Sequence, residues 1–223
     1  MRAIVAGLAL LLPLASLGGE EAAPRWSVGA GVSFADDGLL LRSNLSSLAP
    51  STTVPFVRAS LERRVGAATW LVLGVAGAFE TDDAPPAPAY YLASDSGSSW
   101  QGRVAAGLRR ELTPPAAPFA LSAMLLADVG GLSANRKYLA VPTLGSEAVD
   151  VREEARGMVA GVSAGAAVER QLTSGLSLRM SSTVLSAGWS WTEVKPSNGS
   201  ARSVRAFRGG LTLAPSLELR LAF

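Results

Sequence analysis

The sequence predicts an all-β fold, an eight-stranded antiparallel up-and-down transmembrane β-barrel, and three observations lead there. The stretch Phe207–Phe223, FRGGLTLAPSLELRLAF, alternates: Leu211, Leu213, Pro215, Leu217, Leu219, Leu221 and Phe223 against Thr212, Ala214, Ser216, Glu218, Arg220 and Ala222. A period of two gives a strand one apolar and one polar face. Second, the mean hydropathy of +0.28 is high for a water-soluble domain. Yet beyond the N-terminal segment no stretch reaches the ~18 uncharged apolar residues of a spanning helix, Val65–Phe79 coming nearest. Lipid then leaves a closed sheet, which pairs every backbone polar group internally. Third, the connections between candidate strands run long, short, long, short, long, short, long. Membrane barrels carry loops on one rim and tight turns on the other.

Residues 1–18 read as a signal peptide: Arg2, an apolar run Ala3–Leu12, Pro13, then small residues, with cleavage expected after Gly18. Residues 19–24 form a linker and 25–223 the barrel domain. The apolar run is shorter than a bilayer-spanning anchor requires. The chain has no Cys, so it holds neither a disulfide nor a cysteine-linked lipid.

The first strand, Arg25–Phe34, sets Trp26, Val28, Ala30, Val32 and Phe34 against Ser27, Gly29, Gly31 and Ser33. A loop over Ala35–Thr53 leads to Val54–Arg64, with Val57, Ala59 and Leu61 on one face and Arg58, Ser60, Glu62 and Arg64 on the other. A short turn gives Ala68–Glu80, then a Pro-, Asp- and Ser-rich loop, Thr81–Ser98. Ser99–Leu112 carries Trp100, Val104, Ala106 and Leu108 opposite Gln101, Arg103, Arg109 and Glu111. Thr113–Pro118 is a Pro-rich turn into Phe119–Leu132; a loop over Ser133–Glu154 precedes Ala155–Arg170. The turn Gln171–Gly175 leads to Leu176–Trp191, a loop holding Lys195–Gly199, and the closing strand from Ser203. Strands of this length exceed the ~5–6 residues common in soluble sheets and suit the ~9–11 tilted residues that cross a bilayer. An even strand number puts both chain ends on the short-turn rim, the expected periplasmic side.

Aromatic residues fall near strand ends, as girdles at the lipid headgroups require: Trp26, Phe34, Phe79, Trp100, Phe119, Trp189, Trp191, Phe207 and Phe223. By parity Phe56 and Trp70 face inward, which signals a shifted register or a bulge. The three Tyr residues fall in predicted loops. The polar faces bring a set of charges inside: Arg58, Glu62, Arg64, Arg103, Arg109, Glu111, Asp128, Glu169, Arg179, Glu218 and Arg220. Eight strands leave an interior just wide enough for side chains, where an unpaired charge costs several kcal/mol. An ion-pair network follows, with Glu62 and Glu218 taking Arg partners from neighbouring strands.

Little else points to chemistry. Gly161–Gly165 matches G-x-S-x-G, but that elbow needs a histidine base and the chain has no His. With neither His nor Cys, a zinc or transition-metal site is not expected. Asp36 with Asp37 and Asp82 with Asp83 read as turn acids rather than a calcium site. No cofactor is predicted, and a formal charge of +2 argues against a nucleic-acid partner.

The C-terminal strand ending on Phe223, with the eight strands and four long loops, resembles the small bacterial outer-membrane barrels of the OmpA-transmembrane and OmpX type. The resemblance implies an outer-membrane location, lipid and the barrel-assembly machinery as partners, and Leu219, Leu221 and Phe223 as the assembly signal. It implies a non-enzymatic role: structural support, adhesion, or surface recognition of an external ligand through loops such as Thr81–Ser98 and Ser133–Glu154. A narrow passive channel for small solutes or apolar molecules is the alternative. A soluble periplasmic ligand-binding barrel, with the apolar face inward, is a third.

Overall fold

A computed structural model describes residues 25–33, 56–82, 94–114, 117–140, 149–197 and 199–223. The segments expected to be signal peptide and linker, and Phe34, lie outside these. The described residues form eight strands: β1 Trp26–Ser33, β2 Phe56–Arg64, β3 Thr69–Asp82, β4 Ser94–Glu111, β5 Ala120–Ala140, β6 Val149–Gln171, β7 Leu176–Pro196 and β8 Arg202–Ala222. Each pairs antiparallel with the next, and β1 pairs with β8, so the sheet closes with no free edge. The seam runs from Ser27 opposite Ala222 to Ser33 opposite Ser216. Trp26 and Phe223 complete it with reciprocal backbone hydrogen bonds of 3.0 Å. The residue at the end of the alternating stretch thus holds the barrel shut.

Alternation decides what each wall presents. Leu71, Leu73 and Val75 on β3, Val104 and Leu108 on β4, Leu121, Leu125 and Val129 on β5, and Met158 and Val162 on β6 are exposed on the outside, Leu125 by 61%. Glu62, Arg109, Asp128, Arg179, Glu218 and Arg220 are buried. Aliphatic side chains face out and charges face in, the inverse of a water-soluble domain. A lipocalin-like barrel would show the reverse arrangement.

Two expectations need correction. The predicted loop Ser133–Glu154 is largely strand: β5 and β6 pair without interruption from Ala120 opposite Glu169 to Ala140 opposite Val149. Alternation persists there, with Leu132, Val151 and Ala155 buried, but its outer positions are polar, so the segment reads as a loop. Tyr138 accordingly lies in β5, and β4 likewise starts at Ser94, inside the predicted Thr81–Ser98 loop. The seventh connection shrinks to residues 197–201. Strands β5 to β8 are 21 to 23 residues long, about twice what a tilted span needs. One side of the barrel therefore rises well above the bilayer.

The second correction concerns facing. Odd positions point inward in the first half of β7, where Arg179 and Ser181 are buried, whereas Ser186, Ser190 and Thr192 are the buried ones beyond it. Register shifts at Ala164/Gly165 and Thr183/Leu185 mark a bulge, and Val184 and Leu185 both face out. A bulge adds one residue and resets the alternation. It is what puts Trp189 outside on a strand whose Arg179 is inside. No such device is needed at Trp70: it is 5% exposed, on the inward face parity assigns.

Candidate functional site

The inward charges gather at the short-turn end of the lumen. Glu62, on β2, is the centre, 1% exposed. Its carboxylate meets Arg109 Nε of β4 at 2.9 Å, Arg220 Nη2 of β8 at 2.8 Å and Arg179 Nη1 of β7. The Arg220 contact is close but lies outside aligned hydrogen-bond geometry. Arg179 and Arg220 also reach Glu169 Oε2 of β6, at 2.6 and 3.2 Å, and Ser177 donates to that same carboxylate. Arg109 Nη1 meets Glu111 Oε1 at 3.0 Å, which also accepts the Trp70 indole N–H at 2.9 Å. The Arg109 guanidinium lies 4.9 Å from the Trp70 ring centroid, a cation–π contact that fills the remaining space.

These partners correct the expectation of pairing between neighbouring strands. Glu62 on β2 adjoins β1 and β3, yet its partners come from β4, β7 and β8. Glu218 on β8 faces Arg58 of β2 at 3.8 Å, across β1. The reason is steric: an arginine is long enough to cross a lumen this narrow, and β1 leaves room. Arg220 lies against Gly29, where a Cβ would approach its Cγ to 3.3 Å and Ser60 Oγ to 2.5 Å. Gly31 lets the backbones close in further, since a Cβ there would stand 1.9 Å from the Leu217 carbonyl oxygen.

Higher up, Arg103 Nη2 meets Asp128 Oδ1 at 3.0 Å. Among the described residues these ion pairs join five arginines, Arg58, Arg103, Arg109, Arg179 and Arg220, to five acids, Glu62, Glu111, Asp128, Glu169 and Glu218. Arg64 stands apart at the rim, with its guanidinium on the Gly66 and Ala67 carbonyl oxygens. Between these layers lies a small space of about 50 Å³ lined by Arg58, Arg103, Met124, Asp128 and Ser163. Another, of about 30 Å³, is bounded below by Glu62, Arg179 and Glu218. The G-x-S-x-G stretch sits in β6 with Ser163 on the lumen wall, not at a strand-to-helix turn.

On the outer wall, Trp26, Phe119 and Phe223 are exposed at the short-turn rim. Phe79 and Trp100, paired across β3 and β4, and Trp189 with Phe207 are exposed toward the loop end. The last two rings stand 4.8 Å apart, tilted by 55°, while Trp191 is half-buried. Leu219 and Leu221 flank Arg220 on the outer face of β8, level with the seam. The inward side of Trp70 was visible in its parity, which therefore marks no shifted register or bulge. The cross-lumen partners were not, because period two fixes facing but not which strands meet.

No family model and no curated protein matches the sequence. Solved structures do match in shape. A major outer membrane protein from Thermus thermophilus superposes with a TM-score of 0.50 at 12% identity, over 89% of this chain and 100% of that one. Ail, the attachment invasion locus protein of Yersinia pestis, in complex with the heparin analogue sucrose octasulfate, matches at 0.37 and 12%, covering 89% and 97%. The outer membrane protease OmpT from Escherichia coli matches at 0.35 and 8%, covering 90% and 94%. The chain is an eight-stranded membrane-spanning β-barrel of the bacterial outer-membrane type.

Proposed function

We propose that the protein is a non-enzymatic outer-membrane barrel whose lumen is closed by its own side chains, serving as a rigid structural and surface-interaction element rather than a channel. The observation that carries this reading is the Glu62 cluster: one carboxylate joined to three arginines from three strands, at the end where all eight strands meet. Charges buried this way hold only when each is matched, and here, among the described residues, five arginines meet five acids. A pore selects by leaving a surplus of one sign along its wall. The lack of any histidine supports a non-enzymatic role, since general-base chemistry of the serine-hydrolase kind has no base to use. In this reading the raised wall of β5 to β8 and the connections above it meet external partners, the barrel-assembly machinery reads Leu219, Leu221 and Phe223, and residues 1–18 direct export.

Planar-bilayer recording tests it. The refolded wild-type barrel is expected to show no sustained conductance. Arg109→Ala with Arg179→Ala, in protein that still refolds, should open discrete channels. Steady ion-selective conductance in the wild type would establish the channel reading instead.

A further inference from the structure

The short-turn rim carries a second set of charges, on the outside and unbalanced. Arg63 on β2, Arg110 on β4 and Arg170 on β6 are all exposed. Each neighbours an inward charge of its own strand, Glu62, Arg109 or Glu169, so alternation turns it to the opposite wall. Among the described residues that outer wall has no acidic side chain to match them. The acids within 62–70, 108–122 and 168–178 are Glu62, Glu111 and Glu169, and all three belong to the lumen cluster. The turns 65–68, 112–119 and 172–175 contain none.

The loop end is different. Arg156 stands opposite Glu193 and Lys195 opposite Glu154, while Arg152 lies 3.8 Å from Glu154. Outward cations there have acidic neighbours; at the short-turn rim they do not.

Depth adds a second, independent observation. The Arg63 guanidinium lies 5.3 Å from the Trp26 ring centroid and that of Arg170 lies 5.9 Å from Phe119. Exposed aromatic rings at a strand end mark the level where hydrocarbon meets headgroups, so these guanidiniums sit at the depth of lipid phosphates. The belt is arginine throughout, the chain's lysines being Lys137 and Lys195 near the other end. A guanidinium engages a phosphate with two parallel hydrogen bonds while its stem stays on apolar surface.

We propose that Arg63, Arg110 and Arg170 form a belt that binds the phosphate groups of anionic phospholipids in the leaflet at the short-turn rim. The belt sets the vertical position of the barrel and enriches acidic lipid around one end of it. The plug contributes nothing to this selectivity, since its charges are paired inside.

The test is the boundary lipid of the refolded barrel in phosphatidylcholine vesicles, read by electron spin resonance of spin-labelled phosphatidylglycerol against spin-labelled phosphatidylcholine. An arginine near an anionic surface is worth about fivefold in association. The wild type should hold phosphatidylglycerol at least about fivefold more strongly at low salt and lose most of that preference at 1 M salt. The triple variant R63Q/R110Q/R170Q should show a ratio near one. The single variant R110Q, at an exposed position, should lose about a third of the preference, one arginine of three, if the triple variant does not refold. Equal association of the two lipids with the wild type would overturn the proposal. So would a preference that survives in the refolded triple variant, which would move the selecting surface to Arg152, Arg156 and Lys195 at the loop end.

Discussion

The two ends of the lumen are built from the same alternating strands but filled with opposite chemistry. At the short-turn end Glu62, Arg109, Arg179 and Arg220 are buried together. Toward the loop end of β5 to β7 the inward residues are Leu132, Ala155 and Val159, with Ala134 and Val194 packed against them, beside the Ser190 and Thr192 hydroxyls. The difference shows that facing inward does not fix an environment. Where all strands converge, an inward charge has no water and must find partners across the barrel. In the raised wall the inner face gains by burying aliphatic surface, as any sheet in water does.

Substitutions can break or sharpen this contrast. The largest effect is expected at Glu62→Ala, which takes a carboxylate from three guanidiniums at once and leaves them only Glu111 and Glu169 to share. Removing one partner from a buried pair costs about 3–5 kcal/mol, so this variant should refold poorly or lose at least that much in urea titrations of the barrel in lipid. An effect under about 1 kcal/mol there would mean that water reaches the cluster and screens its charges.

Next is Leu125→Arg on the outer wall, midway along the part of β5 that crosses the bilayer. A cation in the lipid midplane of a barrel costs about 2–4 kcal/mol, measured by the same titration. A neutral outcome would place that wall in water. Val159→Ala, in the apolar end, should cost about 1–2 kcal/mol through lost burial and a small cavity. It should leave conductance unchanged, which separates the two ends by function as well as stability. The smallest effect belongs to Arg152→Ala. Its ion pair with Glu154 is 3.8 Å long, between side chains 57% and 45% exposed, so under about 1 kcal/mol is at stake.

Much of this molecule was legible in its sequence because period two survives in every strand but β7. The strand count and the inward side of the lumen charges follow from counting alternate residues, and so does the inward side of Trp70, although from sequence alone that parity reads as a sign of a shifted register or a bulge. Strand lengths at the loop end did not follow. Above the bilayer the outward residues of β5 and β6, such as Asn135, Lys137 and Arg152, are as polar as any loop. The bulge at Val184 left only an indirect trace: Arg179 and Trp189 share a parity but cannot share a wall. Partner choice in the Glu62 cluster left none, since it depends on how far arginines reach across a closed cylinder. The outward arginines at the short-turn rim were readable by the same parity that turned Glu62, Arg109 and Glu169 inward.

The barrel wears its apolar face outward, in a lipid bilayer. Cell fractionation, with the mobility of unheated and boiled samples compared on SDS gels, tests that most directly. An outer-membrane protein whose mobility shifts on boiling is the predicted result. A heat-indifferent protein recovered from the soluble periplasm would contradict it, because the exposed Leu125 and the buried Glu62 could not both exist in a barrel surrounded by water.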